Sequence, residues 1–229
     1  MPVSRPAGDT GGADPAVTAA LAAYAAGQGT EHAALTALAA SRLLVPVVAV
    51  LVEANDAHGE KAHSEKAHGG KGATEKETEM ALPTLIGNDG RKAVIAFTGT
   101  DTVKRWRADA RPVPVPAARL WPAVAAEQAD AVVIDVAGPV PLVVEGARLR
   151  ALANGAPPPL PHEDPDIRAQ VAAVIDDFTV EPGGPDADVI ITLKNSDLAA
   201  ARAAAEVIAA RLAPRLRRGV AVRAGQPSG

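Results

Sequence analysis

The turn Gly87-Asn88-Asp89-Gly90 separates two apolar runs, MALPTLIG at 80–87 and KAVIAFTG at 92–99. Asn, Asp and Gly tolerate the positive φ that tight hairpin turns demand, so this pattern fixes an antiparallel pair of strands. Part of the core must therefore be a sheet, and the neighbouring elements are obliged to cover it. Only Tyr24, Phe97, Trp106, Trp121 and Phe178 are aromatic in 229 positions, so Ala, Val, Leu and Ile must fill that core. A content of 48% hydrophobic and 22% charged residues is enough to do so without staples.

Upstream of the hairpin, Asp14-Pro15 is an N-cap followed by proline at the first helical position. It predicts a helix over 15–26, with Leu21 and Tyr24 inward and Gly27 as the stop. Thr30 caps a second helix carrying Leu35, Leu38 and Ala39, and the run at 43–52 reads as a strand. Pro46 has no N–H to donate, which places that strand at a sheet edge or breaks it there. Downstream, a short helix capped by Thr100 or Asp101 carries Val103 and Trp106, 112–115 is extended, and 117–126 is a helix with Leu120 and Trp121. A strand at 131–136, a turn at Gly138-Pro139, a strand at 141–144 and a helix at 145–153 complete the series. The expected fold is α+β, a mixed sheet with an antiparallel hairpin and flanking helices over 15–155.

Residues 1–14 read as a disordered tail and 156–164 as a stiff Pro-rich linker. Beyond the linker, a helix at 166–176, an extended piece at 178–180 and a strand at 188–193 come first. A helix at 197–213 capped by Ser196 and a strand at 219–223 then complete a smaller α+β unit over 165–225.

The segment HGEKAHSEKAHGGK sets His58, His63 and His68 at intervals of five, with Lys61, Lys66, Lys71 and Lys76 in step. On a helix a step of five turns about 500°, leaving successive imidazoles about 140° apart, and in a strand an odd step puts them on opposite faces. Neither regular conformation converges the three rings, so these histidines are weak metal candidates and the reading is a solvated, disordered insertion over 55–79. No cofactor is expected. A net charge of −4 supplies no global field for nucleic acid or anionic lipid. The most apolar run, at 43–52, is about half of what a membrane-spanning helix needs. The first residues, MPVSRPAGDTGGADP, have no signal-peptide pattern, so the expected location is the cytoplasm.

No cysteine occurs, which excludes thiolate ligands and every mechanism with a covalent sulfur intermediate. No phosphate-binding glycine loop, GxSxG elbow or HExxH helix is present. Glu163, Asp164 and Asp166 cluster at a helix start, where capping explains them more simply than acid–base catalysis. Candidates for a partner surface are Trp106 and Trp121, as aromatic anchors, and Arg215, Arg217 and Arg218, which with Arg211 form an Arg-rich end at the C-terminus of the last helix. For the indoles core anchoring is the simpler role, and for the arginines complementing the helix dipole and solubilising an Ala-rich element.

The runs EKETEMALPTLIGNDGRKAVIAFTGTDTVKRW, PVPVPAARLWPAVA and ADAVVIDVAGPVPLVVEGARLRAL resemble the N-terminal domain of the SseB family, over roughly 15–155. That family orders its elements as here, with a variable insertion between the first strand and the hairpin. The resemblance implies an α+β domain of a cytoplasmic bacterial protein and brings no catalytic residues. The family takes its name from a serine-sensitivity phenotype and is sometimes associated with sulfurtransferases, but a rhodanese-type transfer requires a cysteine that this chain lacks. Taken together, the expectation is a non-catalytic binding or regulatory module with a protein partner. A small-molecule sensor or enzyme with a pocket between the two units, and weak metal carriage by His58, His63 and His68, stay open as alternatives.

Overall fold

A computed structural model describes residues 11–47, 84–87, 89–194 and 198–225. The fold is α+β. Strands β1 (Arg42–Val47), β2 (Thr84–Ile86), β3 (Lys92–Ala96), β4 (Arg111–Pro116), β5 (Ala131–Ile134) and β6 (Leu142–Glu145) are joined by helices α1 (Pro15–Ala25), α2 (Glu31–Ala39), α3 (Thr100–Trp106), α4 (Ala117–Ala126) and α5 (Gly146–Ala153). A second layer follows, with α6 (Pro165–Ala172), β7 (Phe178–Pro182), β8 (Val189–Leu193), α7 (Leu198–Leu212) and β9 (Val220–Ala224). The insertion at 55–79 with its three histidines, the tail up to residue 10, the predicted strand beyond Val47, Asn88 and the Ser196 cap lie outside the described residues.

The local chemistry of the first two helices is as the sequence predicts. Asp14 accepts the Ala16 N–H at 2.8 Å with Pro15 at the first position, and Val17, Leu21 and Tyr24 form the buried face of α1. Thr30 Oγ1 accepts from Ala33 N at 3.1 Å, and α2 buries Ala34, Leu35 and Leu38. Helix α3 differs: neither Thr100 nor Asp101 caps it, because Gly99 holds the N-cap position without a side chain. The Thr100 N–H instead donates to the Gly11 carbonyl at 2.9 Å, so a segment some ninety residues upstream supplies the cap. Strand β5 stops at Ile134 because Asp135 turns to φ +50°. Its carboxylate then latches β3, accepting the Thr98 N–H at 2.9 Å and the Thr98 hydroxyl at 2.7 Å.

The main sheet runs β2-β3-β5-β6, with β3 and β5 parallel and both outer pairs antiparallel. Its inner face, including Val94, Val132, Ile134, Leu142 and Val144, packs with α1, α2, α4 and α5 into the principal core, where Trp121 is 1% exposed. A smaller cluster of Leu44, Ile95, Phe97 and Val103, joined by Trp106, covers part of the other face. The second layer has its own three-stranded sheet, β7-β8-β9, and its own core around Ile167, Ile191, Leu193 and Ile208.

The prolines decide how β1 joins the sheet. Leu44 exchanges both backbone hydrogen bonds with Phe97, at 2.7 and 2.9 Å, so in this register its polar groups face away from β4. Two residues on, Pro46 would be next to donate toward β3 and has no N–H, and β1 leaves β3 there. It continues paired to β4, with Pro46 opposite Pro112 and Leu44 opposite Pro114, positions where no ladder bond is required. The vacated edge of β3 is taken by β2. Extending the Leu44–Phe97 register puts Val47 opposite Val94, the residue that Thr84 faces. Strands β1 and β2 are thus two halves of one interrupted edge strand, and the chain from 48 to 83 departs from and returns to one point.

With the flanking residues Val47 and Thr84 held at one point of the sheet, shortening the chain between them changes the closure entropy little. Deleting residues 56–78 is therefore expected to leave the thermal midpoint within about 2 °C of the full chain by calorimetry. A larger fall would mean that the excursion packs on the core.

Candidate functional site

Three adjoining hollows meet where β2, β3 and β6 approach the second layer, and Arg91 and Glu145 line all of them. Arg91 follows the hairpin turn and bonds Asp89 and Glu145, both at 2.7 Å, so it bridges the turn to the end of β6. On one side lies an apolar hollow of about 410 Å³ on the outer sheet face, floored by Ala93, Ala131 and Val133. At its rim Ile86 is 76% exposed, Val143 45% and Leu85 38%. The strand register explains the row: Leu85, Ala93 and Ala131 face one another across three strands, and Val133 faces Val143. The cluster around Phe97 and Trp106 covers Ile95 and reaches Val133, but it does not extend to Leu85, Ala93 or Val143.

On the other side the hollows are polar. One of about 490 Å³ is lined by residues including Arg148, Arg150, Asp166, Gln170 and Arg215, and one of about 390 Å³ by residues including Tyr24, Glu31, Arg148 and Arg215. Their common wall is a buried ion network. Glu31, at the first position of α2, pairs through Oε1 with Arg148 of α5 and through Oε2 with Arg215, whose Nε and Nη2 lie at 3.2 and 3.1 Å. Arg215 Nη2 also bonds Asp164, whose other oxygen caps α6 by accepting the Asp166 N–H at 2.8 Å. Nearby, the Tyr24 hydroxyl donates to the Arg215 carbonyl at 3.0 Å, and Asp166 accepts the Ala147 N–H at the start of α5 at 2.7 Å. That last contact requires Gly146, which sits at φ +59°, where an added Cβ would collide with the Asp166 carboxylate.

Glu31 is 5% exposed, Arg148 3% and Asp164 1%. Burial pushes the Glu31 carboxyl above the ordinary glutamate range, against the pull of Arg148 and Arg215. Burial opposes the Arg215 charge, but Glu31 and Asp164 outweigh it and the guanidinium is raised. The carboxylates of this wall are thus taken up by guanidinium or backbone donors, whereas Arg148 Nε and Arg215 Nη1 are buried without a hydrogen-bond partner. Elsewhere, Asp188 Oδ1 and Trp121 Nε1 are also buried without one.

The structure separates the residues singled out in the sequence. Trp121 belongs to the core, not to a surface. Trp106 is half-buried, its ring 5.6 Å from Phe97 and the Arg107 guanidinium 5.9 Å from its own centre. Arg215 is no solvated cation at the end of α7: the turn after Leu212 carries it back to Glu31 and Asp164, where 12% of its side chain is exposed. Arg217 is exposed with its guanidinium 5.9 Å above the Tyr24 ring, and Arg218 donates to the Gly184 and Pro185 carbonyls at 2.5 Å. Of that cluster only Arg211 lies in the last turn of α7, so the dipole accounts for one cation and specific acceptors for Arg215 and Arg218. Among the described residues no three His, Asp or Glu side chains converge to hold a metal. Nor is any described helix long and apolar enough to cross a membrane. Glu31 and Arg148 escaped the sequence reading. A Glu after a Thr cap looks like ordinary helix-start charge, and only a contact across 117 residues gives either its role.

Replacing Glu31 by Ala strands the buried Arg148, leaves Arg215 with Asp164 alone, and is expected to cost about 3–5 kcal/mol in urea unfolding. In the double variant Glu31→Ala/Arg148→Ala, the total loss should fall clearly short of the sum of the single losses, and simple additivity would mean that the pair is not coupled.

A family model described as the SseB protein N-terminal domain matches residues 17–151, well over half of the chain. Comparison with curated proteins and with solved structures returns no match. The matched span runs from α1 to α5 and includes Glu31, Arg91, Glu145 and Arg148, while Asp164 and Arg215 lie beyond it. The match covers the same elements, hairpin included, that form the first layer, and the chain belongs to the SseB family.

Proposed function

We propose that this chain is a non-catalytic binding module that receives a protein partner on the open face of its four-stranded sheet. The observation that carries the reading is the row of Leu85 and Val143 on that face, with Ile86 beside it at the edge of β2, exposed around an apolar hollow of about 410 Å³. Burying that row in a partner would remove apolar surface from water, the usual source of association energy, and contiguous exposed apolar patches mark such surfaces. Arg91, Asp89 and Glu145 at the rim supply charges of both signs, suited to fixing a partner's orientation.

Support for a non-catalytic role comes from the chemistry of the groove. The chain has no cysteine. Glu31, Asp164 and Asp166 are all committed to guanidinium or backbone donors, so none is poised as a free acid or base. The partner surface accordingly moves away from Trp121 and Arg215, which are occupied inside the fold, to the sheet face.

The reading is tested with Ile86→Asp and Val143→Asp, substitutions at exposed positions that should each change stability by no more than about 0.5 kcal/mol. Affinity capture with the intact chain is compared with both variants and with Lys104→Ala on the exposed side of α3. A partner retained by wild type and Lys104→Ala but lost by both sheet variants is the expected result. Retention by the sheet variants, or no reproducible partner at all, would move the function elsewhere.

A further inference from the structure

The buried ion network does not balance its hydrogen bonds. Each carboxylate around it has donors: Glu31 takes Arg148 and Arg215, Asp164 takes Arg215 and the Asp166 N–H, Asp166 takes the Ala147 N–H, and Glu145 takes Arg91. The surplus is on the donor side. The hydrogen bonds of Arg148 leave from Nη1, to Glu31 and to the Val143 carbonyl at 3.3 Å, and its Nε has no partner. Arg215 spends Nε and Nη2 on Glu31 and Asp164, and its Nη1 has no partner. Both side chains line both polar hollows, of about 490 and 390 Å³, within the size range of small-ligand sites. A buried guanidinium donor left unpaired is costly, and the group that satisfies it best is an oxyanion, which has lone pairs and nothing to donate.

We infer that the polar hollow between α5 and α6 is a binding site for a small molecule bearing an oxyanion, carboxylate or phosphate, held by Arg148 and Arg215. Arg150 stands at the mouth, 67% exposed and only loosely tied to Asp166 at 3.7 Å, and is available to guide the anion in. Arg148 belongs to the first layer and Arg215 to the second, so an anion shared between them adds a clasp across the two. Occupancy then stabilises the whole chain, because the ligand finds both arginines together only in the folded form. The inference does not depend on the protein-partner reading, since it concerns the purified chain alone.

The test titrates the intact protein with inorganic phosphate and, separately, with malonate at constant ionic strength, followed by calorimetry and thermal unfolding. Sodium chloride serves as the screening control. Saturable binding with a rising thermal midpoint is expected for at least one anion, and whichever binds identifies the head group. Arg148→Lys keeps the charge toward Glu31 but removes the planar fork, and should weaken binding about tenfold. Gln170→Glu, near-isosteric and on the α6 side of the hollow, adds a negative charge to the lining and should weaken binding several-fold without touching the network. If Arg148→Lys does not fold, Gln170→Glu decides. Absence of saturable binding by either anion overturns the inference, as does unchanged affinity in the folded variants.

Discussion

One buried carboxylate holds the two layers of this molecule together. Glu31 sits at the start of α2 and is gripped from the first layer by Arg148 and from the second by Arg215, with Asp164 closing the chain of charges. Ionic groups so fully removed from water persist only when paired, so the positions of α2, α5, α6 and the turn after α7 are fixed relative to one another. The neighbouring contacts reinforce the same joint, with Tyr24 on the Arg215 carbonyl and Asp166 on the α5 N-terminus. The Pro-rich stretch between the layers follows this geometry instead of extending into water: Pro158 is buried, and the Pro159 carbonyl lies 3.4 Å from His32 Nδ1.

A second constraint works by subtraction. Pro46 lacks the N–H that would carry β1 further along β3, and the prolines of β4 fall opposite Leu44 and Pro46, where no bond is missed. The edge of the main sheet is therefore completed by β2, after the chain has made its excursion. Because Val47 and Thr84 share one point, lengthening the segment between them adds only slowly to the entropic cost of closure. The same arrangement leaves the outer face beside β2 uncovered, since the cluster around Phe97 and Trp106 reaches only as far as Ile95 and Val133. The open apolar row and the polar hollows meet at Arg91 and Glu145, giving one groove with two chemically different arms.

Much of the fold was legible because its signals are local. The Asp14-Pro15 and Thr30 starts, the hairpin turn, the helix at 117–126 and the edge position implied by Pro46 depend on groups within a few residues, and each stands in the structure. Where the signal was tertiary, local reasoning failed. The α3 cap comes from Gly11, and β5 ends early because Asp135 turns aside to reach Thr98. The candidate groove was hardly legible at all. Core anchoring was already the simpler role for Trp121, but Arg215 looked like a surface cation because a guanidinium announces charge without announcing burial, and Glu31 and Arg148 announced nothing.

By itself the sequence determined the α+β class, the order of the elements, the membership that its first 150 residues declare, and the exclusion of thiol chemistry. These follow from periodicity, turn residues and composition, properties that do not require knowing which distant segments meet. Tertiary structure alone decided which charges are buried, which donors lack acceptors, and which apolar residues stay exposed. A charge becomes costly, or an apolar side chain sticky, only through what surrounds it, and Glu31, Arg148 and Arg215 acquire their surroundings from helices and turns far apart in the chain.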